Sequence, residues 1–524
     1  MAARLSRATA RFLGDETGSL GIMTLGLLPA MLVAGGMAVD YMHMEASRVR
    51  LQATLDRAVL AAAALDQTRD PKAVVRDYFV RAGLGDRLAS VEVEQSLNFR
   101  EVSATAAIDV DTFFLRLVGF DQLTASAAGS AIESHSSVEI SLVVDVSGSM
   151  NDNQRLPRLK SAASSFVDSV LRSTLEGDEV SVTIVPFSTQ VSAGPDILQH
   201  FRRSDAHEVS HCIDFRGADF DTSEIDLAAS HSQTGQFDPF TTSATPIEMP
   251  VCPPVDDLHR RILHHSGDAA ALKARIGGLT ASGNTSIDLG VKWGTWLLDP
   301  TSRPVVDAGI AAGAVDADFA GRPLAHEEDE AMKVLIVMSD GANTTQYRLA
   351  SESSDGPSHV WRDPDTGRTS SRFWNGSRHV WFSPHDEQWR SAPYDDDGDA
   401  YDGAGDPLRL DEVVLWRDYS IRWYAYNHWY RWSRSAETYW REVGQRTAEV
   451  QPDEKDTRTA EICRAARDRG IVVFTIGFEA GDHGDATLRD CASSEAHFFD
   501  VEGLQIEEAF RAISSTINRL RLSS

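Results

Sequence analysis

Basic residues are in short supply in this sequence. Fifty lysines and arginines stand against 78 aspartates and glutamates, a formal net charge of −28 over 524 residues. That balance speaks against a nucleic-acid partner and against a surface that clings to anionic lipid. Cysteine is scarcer still: Cys212, Cys252, Cys463 and Cys491 are the only four, and none form a C-x-x-C pair. A zinc ribbon or a thioredoxin-type redox centre is therefore disfavoured, while an even number in an exported chain fits two disulfides. Enzyme signatures are missing as well. There is no G-x-S-x-G elbow, no H-E-x-x-H helix and no phosphate-binding glycine loop, so an enzyme is disfavoured.

Long apolar runs are also rare, and the one present decides the compartment. No charged side chain occurs from Thr17 to Val39, between Glu16 and Asp40. As a helix this run spans about 35 Å, enough for a ~30 Å hydrocarbon core. Arg4, Arg7 and Arg11 precede it and place the N-terminus in the cytoplasm. Gly36-Met37-Ala38 offers a small-x-small cleavage site, but the run exceeds the ~7–15 apolar residues of a signal peptide. Residues 1–16 are thus read as a cytoplasmic tail and 17–39 as a retained single-pass anchor. Either reading exports the rest of the chain.

Beyond the anchor, residues 40–135 read as an amphipathic helix and a small α+β region. Leu51, Leu55, Ala58, Val59, Ala62 and Leu65 recur at three- and four-residue steps and line one helical face. That face suits lateral packing with similar rods or docking on the next domain, and the spacing does not choose. Pro71 opens a further helix, and "SVEVEQS", "SATAAIDV" and "TASAAGSAIE" read as strands.

Residues 136–524 alternate continuous apolar strands with amphipathic helices, from "EISLVVDV" to "LQIEEAFRAISSTINRLRL". This predicts an α/β fold, a doubly wound, mostly parallel sheet covered on both faces. In such sheets ligands bind beyond the carboxyl ends of the strands. Three stretches, about 191–268, 300–330 and 344–455, break the alternation as insertions. The third holds nine of the eleven tryptophans. Disordered segments are poor in aromatics, so it should be ordered, with the rings serving its own small core or a recognition face.

"SLVVDVSGSM" runs a buried strand into Asp145, Ser147 and Ser149 on one turn. Carboxylate and hydroxyl oxygens suit a hard cation such as magnesium. Other loops must complete its coordination, and the candidates are Thr285 in "SGNTSID" and Asp340 in "VMSDGANT". Thr280 is also available; Thr285 is preferred because it directly follows a glycine-containing turn. Each residue alone is a common helix cap. The three segments in order resemble the von Willebrand factor A (VWA) domain, whose metal-ion-dependent adhesion site (MIDAS) they would form. The resemblance implies first-loop ligands Asp145, Ser147 and Ser149, second-loop Thr285 and third-loop Asp340, with one position left for an acidic residue of a protein partner.

The start "RFLGDETGSLGIMTLGLLPAMLVAGGMAVDY" with "RLQATLDRAVLAAA", and the close after "IVVFTIGFE", resemble TadG-like proteins of the tight-adherence (Flp) pilus-assembly system. This implies a bacterial inner-membrane protein, with the bulk of the chain periplasmic or surface-exposed and another pilus or envelope component as partner. The alternative is an anchored surface adhesin whose aromatic insertion binds an external ligand. By placement, Cys463 should pair with Cys491 across one strand, and Cys212 with Cys252 within the first insertion. Asp395, Asp396, Asp397, Asp399, Asp402 and Asp406 crowd one loop. It reads as a solvated acidic turn or a non-standard calcium site at 395–406.

Overall fold

The computed structural model describes residues 19–64, 67, 69–95, 99–134, 137–172, 179–204, 206–326, 331–395 and 406–518. It comprises a first unit up to Ser134 and a second unit that follows it.

The first unit is built on one helix of 45 residues, α1 (Ser19–Ala63). Its apolar first half is laid bare: Met23, Leu25, Leu28 and Met31 are 62–78% exposed. A membrane-competent apolar stretch starts at Met23 in this helix. Further on, Leu51, Leu55, Ala58, Val59 and Ala62 are buried, as their spacing predicts; Leu65 lies outside the described residues. This face docks within its own unit, in a core shared with α2 (Pro71–Arg81) and strands β1 (Leu88–Gln95), β2 (Phe99–Asp111) and β3 (Gln122–Ser134). The strands form an antiparallel sheet in sequence order. Proline at the first position of α2 and the Asp70 carboxylate, which accepts the Lys72 N–H, start that helix.

The second unit is centred on six strands. In chain order its elements are β4 (Ser137–Asp145), α3 (Arg155–Arg172), β5 (Glu179–Phe187), β6 (Leu263–Ser266), α4 (Ala269–Gly277), α5 (Ile287–Trp296), β7 (Ala331–Ser339), α6 (Pro452–Asp468), β8 (Val472–Phe478), α7 (Gly481–Cys491), β9 (Phe498–Val501) and α8 (Gln505–Asn518). The spatial order is β6-β5-β4-β7-β8-β9. All neighbours run parallel except the edge pair β5–β6. The unbroken apolar runs of β4 and β7 are buried on both faces, as parallel strands under helices must be. Helix α3 packs on α4 and α8, and α6 on α5 and α7. Gly290 and Gly294 let α5 lie directly on the sheet: a Cβ at 294 would stand 2.4 Å from Val143.

Edge strand β6 falls inside the stretch read from sequence as an insertion. Its "LHHS" has no apolar alternation, because it pairs only on one side and briefly. Cys212–Cys252 and Cys463–Cys491 are both bridged. The third insertion carries a five-stranded antiparallel sheet, and Leu415, Trp416, Tyr419 and Tyr424 enter its core.

Asp299, just beyond α5, gathers donors from three stretches: Ser223 Oγ at 2.6 Å, Thr301 N–H at 2.9 Å and His326 Nε2 at 3.1 Å. Burial alone would raise its carboxyl; the hydrogen bonds from His326, Ser223 and Thr301 outweigh it and hold the group well below the usual range. A depressed carboxyl contributes stability above its unfolded pKa and loses it as pH falls through the folded value. Asp299→Asn should therefore lower Tm near neutrality, and the gap to wild type should begin to narrow below about pH 4 and shrink further as pH falls. A gap constant down to pH ~2 would show that the carboxylate is not the source.

Candidate metal centre

The parallel strand β4 ends at Asp145, which is fully buried. Its Oδ1 accepts the Ser147 N–H at 2.7 Å and its Oδ2 accepts the Ser339 hydroxyl at 2.6 Å. Ser147 Oγ lies 3.0 Å from Ser149 Oγ, and Ser149 donates to Asp340 Oδ1 at 2.8 Å. Four of the five residues singled out from sequence thus form one hydrogen-bonded chain over the carboxyl ends of β4 and β7. These neighbours are the first and fourth strands of the sheet, where the connections diverge and open a crevice.

The second loop closes on the first through Gly148 N–H to Gly283 C=O at 2.8 Å and Ser282 N–H to Val146 C=O at 2.9 Å. Gly283 has φ +90°, and a Cβ there would sit 2.7 Å from Thr189 Oγ1, so this turn demands glycine. Thr285 is buried, with its N–H on Thr344 Oγ1 at 2.9 Å and its C=O taking the Thr344 N–H at 3.1 Å. Its hydroxyl has no protein hydrogen bond among the described residues, and none joins it to the other four. Thr280 instead donates to Asp257 at 3.5 Å.

Two contributors were not legible from the sequence. Arg155 at the start of α3 lays its guanidinium between Asp340 Oδ2 at 3.0 Å and Glu479 Oε2 at 2.9 Å. Two consecutive left-handed residues, Asn153 (φ 50°) and Gln154 (φ 57°), precede it. Lys455 of α6, fully buried, donates to Thr285 C=O at 2.6 Å and to Ser286 Oγ and Thr344 C=O at 2.7 Å each. It pins the second and third loops together. The only sequence signal for Lys455 was a lysine beside the apolar face of a helix.

Burial pushes the Asp145 carboxyl up to about 7; the Asp340 charge adds to this, and hydrogen bonds from Ser339 and Ser147 oppose it. Asp340 is also raised by burial, against the Ser149 hydrogen bond and the Arg155 charge. Two buried carboxylates with hydroxyls between them fit a hard divalent cation. Among the described residues no three His, Cys, Asp or Glu side chains cluster as a metal site. A site here would rest on two carboxylates and on hydroxyls, as the resemblance implies.

Residues 18–65 match the family model of Flp pilus-assembly TadE/G-like proteins. The N-terminal segment is TadE/G-like. No curated protein matches the chain. Several solved structures are similar at low identity. The von Willebrand factor domain of the type V pilus tip protein Mfa5 from Porphyromonas gingivalis is 15% identical, over 74% of this chain and 96% of its own, with a TM-score of 0.32. The pilus adhesin RrgA from Streptococcus pneumoniae is 11% identical over 82% of this chain and 49% of its own, at 0.32. A proximal thread matrix protein of the mussel byssus, with zinc in its MIDAS motif, is 9% identical over 73% of this chain and 48% of its own, at 0.28. Likeness at this level carries no functional argument. C-terminal to the TadE/G-like segment, the second unit has an α/β fold, with a six-stranded, mostly parallel sheet that carries the three oxygen-bearing turns.

The aromatic insertion divides its rings between two tasks. Trp416 and Tyr424 are buried, whereas Trp374, Trp389 and Trp432 are 61%, 47% and 38% exposed. With Phe373, Asn375 and Val380 these three line an open cleft of about 410 Å³. Residues 396–405, and with them most of the acidic loop, lie outside the described residues.

Proposed function

We propose that this chain is a non-enzymatic, divalent-cation-dependent protein-binding component of a bacterial pilus-assembly apparatus. Helix α1 holds it in the inner membrane with the N-terminus cytoplasmic, and the second unit works on the far side. The observation that carries the reading is the chain Asp145–Ser147–Ser149–Asp340 at the strand crossover, with the Thr285 hydroxyl in the neighbouring loop taking no protein hydrogen bond among the described residues. Magnesium is the favoured ion, since every donor is a hard oxygen. Asp145, Ser147, Ser149, Thr285 and Asp340 would hold it, and it would present an electrophilic position to a partner's carboxylate. The partner is then a pilus or envelope protein with an exposed acidic residue.

Thermal unfolding of the full chain in detergent tests this. Magnesium should raise Tm of the wild type and leave Asp145→Ala unmoved, by the linkage of binding to stability; at 100 times Kd the stabilisation is about 2.7 kcal/mol. Equal shifts in both proteins would remove Asp145 from the site.

A second reading, an anchored adhesin, rests on the exposed tryptophan cleft. Under it, replacing Trp374 and Trp432 by alanine abolishes adherence to an external surface and leaves the magnesium shift intact. Adherence that survives the change excludes this reading.

A further inference from the structure

The connection between β2 and β3, residues 112–121, holds a set of apolar side chains that nothing in the first unit covers. Phe113, Leu117, Val118 and Phe120 are 65%, 73%, 49% and 61% exposed. Soluble surfaces scatter such residues singly; four at one loop tip mark a contact.

The tip is fixed at one height on α1. Among the described side chains of residues 23–43, only Gly36 and Asp40 are buried, one turn apart on the helix. Both lie under the tip. The Phe114 ring fills the space where a Gly36 Cβ would be, 2.1 Å from its Cγ. The Asp40 carboxylate accepts three backbone N–H groups, from Phe113 at 2.9 Å, Phe114 at 2.9 Å and Leu115 at 2.7 Å. The His43 ring stands 5.8 Å from that of Phe113. From Gly36 to His43 the helix rises about 10 Å.

That height is where α1 leaves the bilayer. The charge-free run begins at Thr17 and ends before Asp40, and a core of ~30 Å takes about 20 residues. Asp40, the first charge after the run, accepts three N–H groups of the tip, which reduces the cost of a carboxylate at the membrane boundary. At the edge of the tip Arg116 and Asp121 pair at 3.2 Å with 72% and 76% exposure. An arginine on such a rim can keep its head in the headgroup layer while its stem lies in lipid.

We propose that the β2–β3 tip is a second membrane contact of this protein. Phe113, Leu117, Val118 and Phe120 enter the hydrocarbon–headgroup boundary on the exported side, and the Gly36–Asp40 lock makes tip and anchor one wedge of fixed depth. The contact is apolar, so it needs no anionic lipid and accords with the acidic chain. It rests on the reading of α1 as a retained span.

The four native cysteines are paired in disulfides, so single added cysteines can carry a nitroxide label on the full chain in phosphatidylcholine vesicles. Labels at Leu117→Cys and Phe120→Cys report the tip, Leu28→Cys the span, and Glu92→Cys on β1 the water phase. Molecular oxygen should relax the labels at 117, 120 and 28 more than a nickel chelate does, with the reverse at 92. Nickel access at 117 and 120 with 28 in lipid overturns the proposal and leaves the anchor standing. Exclusion of both reagents from the tip means that protein covers it, a second copy included, and overturns it too. Nickel access at 28 removes the anchor and the proposal together.

Discussion

Lys455→Met is expected to lower the unfolding free energy by about 3–5 kcal/mol, the usual result of removing one partner of a buried charge pair. All three ammonium hydrogens are spent, on Thr285 C=O, Ser286 Oγ and Thr344 C=O. Methionine keeps the volume but leaves those acceptors bare in a fully buried place. It also takes from Asp288, whose carboxylate has no hydrogen bond among the described residues, one of its two cations. Its cations are Lys455 and Arg458, each 4.0 Å away. Burial pulls the Lys455 ammonium down to about 8, with the Asp288 charge opposing, and burial pushes Asp288 up. The two groups depend on each other. Asp288→Asn in the Lys455→Met background should therefore recover part of the loss, whereas independent sites would simply add. Urea unfolding of the four proteins gives the coupling. Because the bared acceptors belong to the second and third loops, Lys455→Met should also weaken the magnesium shift. A loss below about 1 kcal/mol would mean that water replaces the ammonium without strain.

Arg155→Gln should tighten magnesium binding at least about tenfold, or about 1.4 kcal/mol. The guanidinium rests on Asp340 Oδ2 at 3.0 Å, so a divalent cation in reach of Asp340 meets a fixed positive charge. Unit charges 4 Å apart interact by roughly 4 kcal/mol at an effective dielectric of 20; the arginine can swing toward Glu479, so only part of this is realised. Without metal the same variant should be less stable, since Asp340 and Glu479 lose a shared partner. Arg155→Lys keeps the charge and should bind close to wild type. Isothermal titration of the three proteins decides the matter. If glutamine and lysine behave alike, the charge is not what restrains the ion, and the geometry of the arginine fork would be the cause.

Residues that carry their own context were readable in the sequence. "SLVVDVSGSM" announces a buried strand that ends in oxygen donors, and the unit built around it has that strand at its centre. Lys455 and Arg155 were not readable in this way. Lys455 sits in the polar opening "PDEKDT" of α6, and the groups it meets lie 111–170 positions away. Arg155 meets Asp340 across 185 positions, because β4 and β7 are neighbours in the sheet. The short β6 escaped because an edge strand pairs on one side only and carries no apolar signature.

By itself the sequence determined what depends on local pattern: an apolar helix at the start, an α/β alternation after residue 136, and the oxygen-bearing turns at three strand or helix junctions. Periodicity and turn chemistry act over a few residues, and they need no fold to be read. Tertiary structure alone decided which partners those elements meet. It turned the striped face of α1 onto its own three-stranded sheet, set a guanidinium on the Asp340 carboxylate, and locked the β2–β3 tip to Asp40. Each of these is a contact between segments far apart in the chain, and strand order and packing, not spacing, bring such segments together.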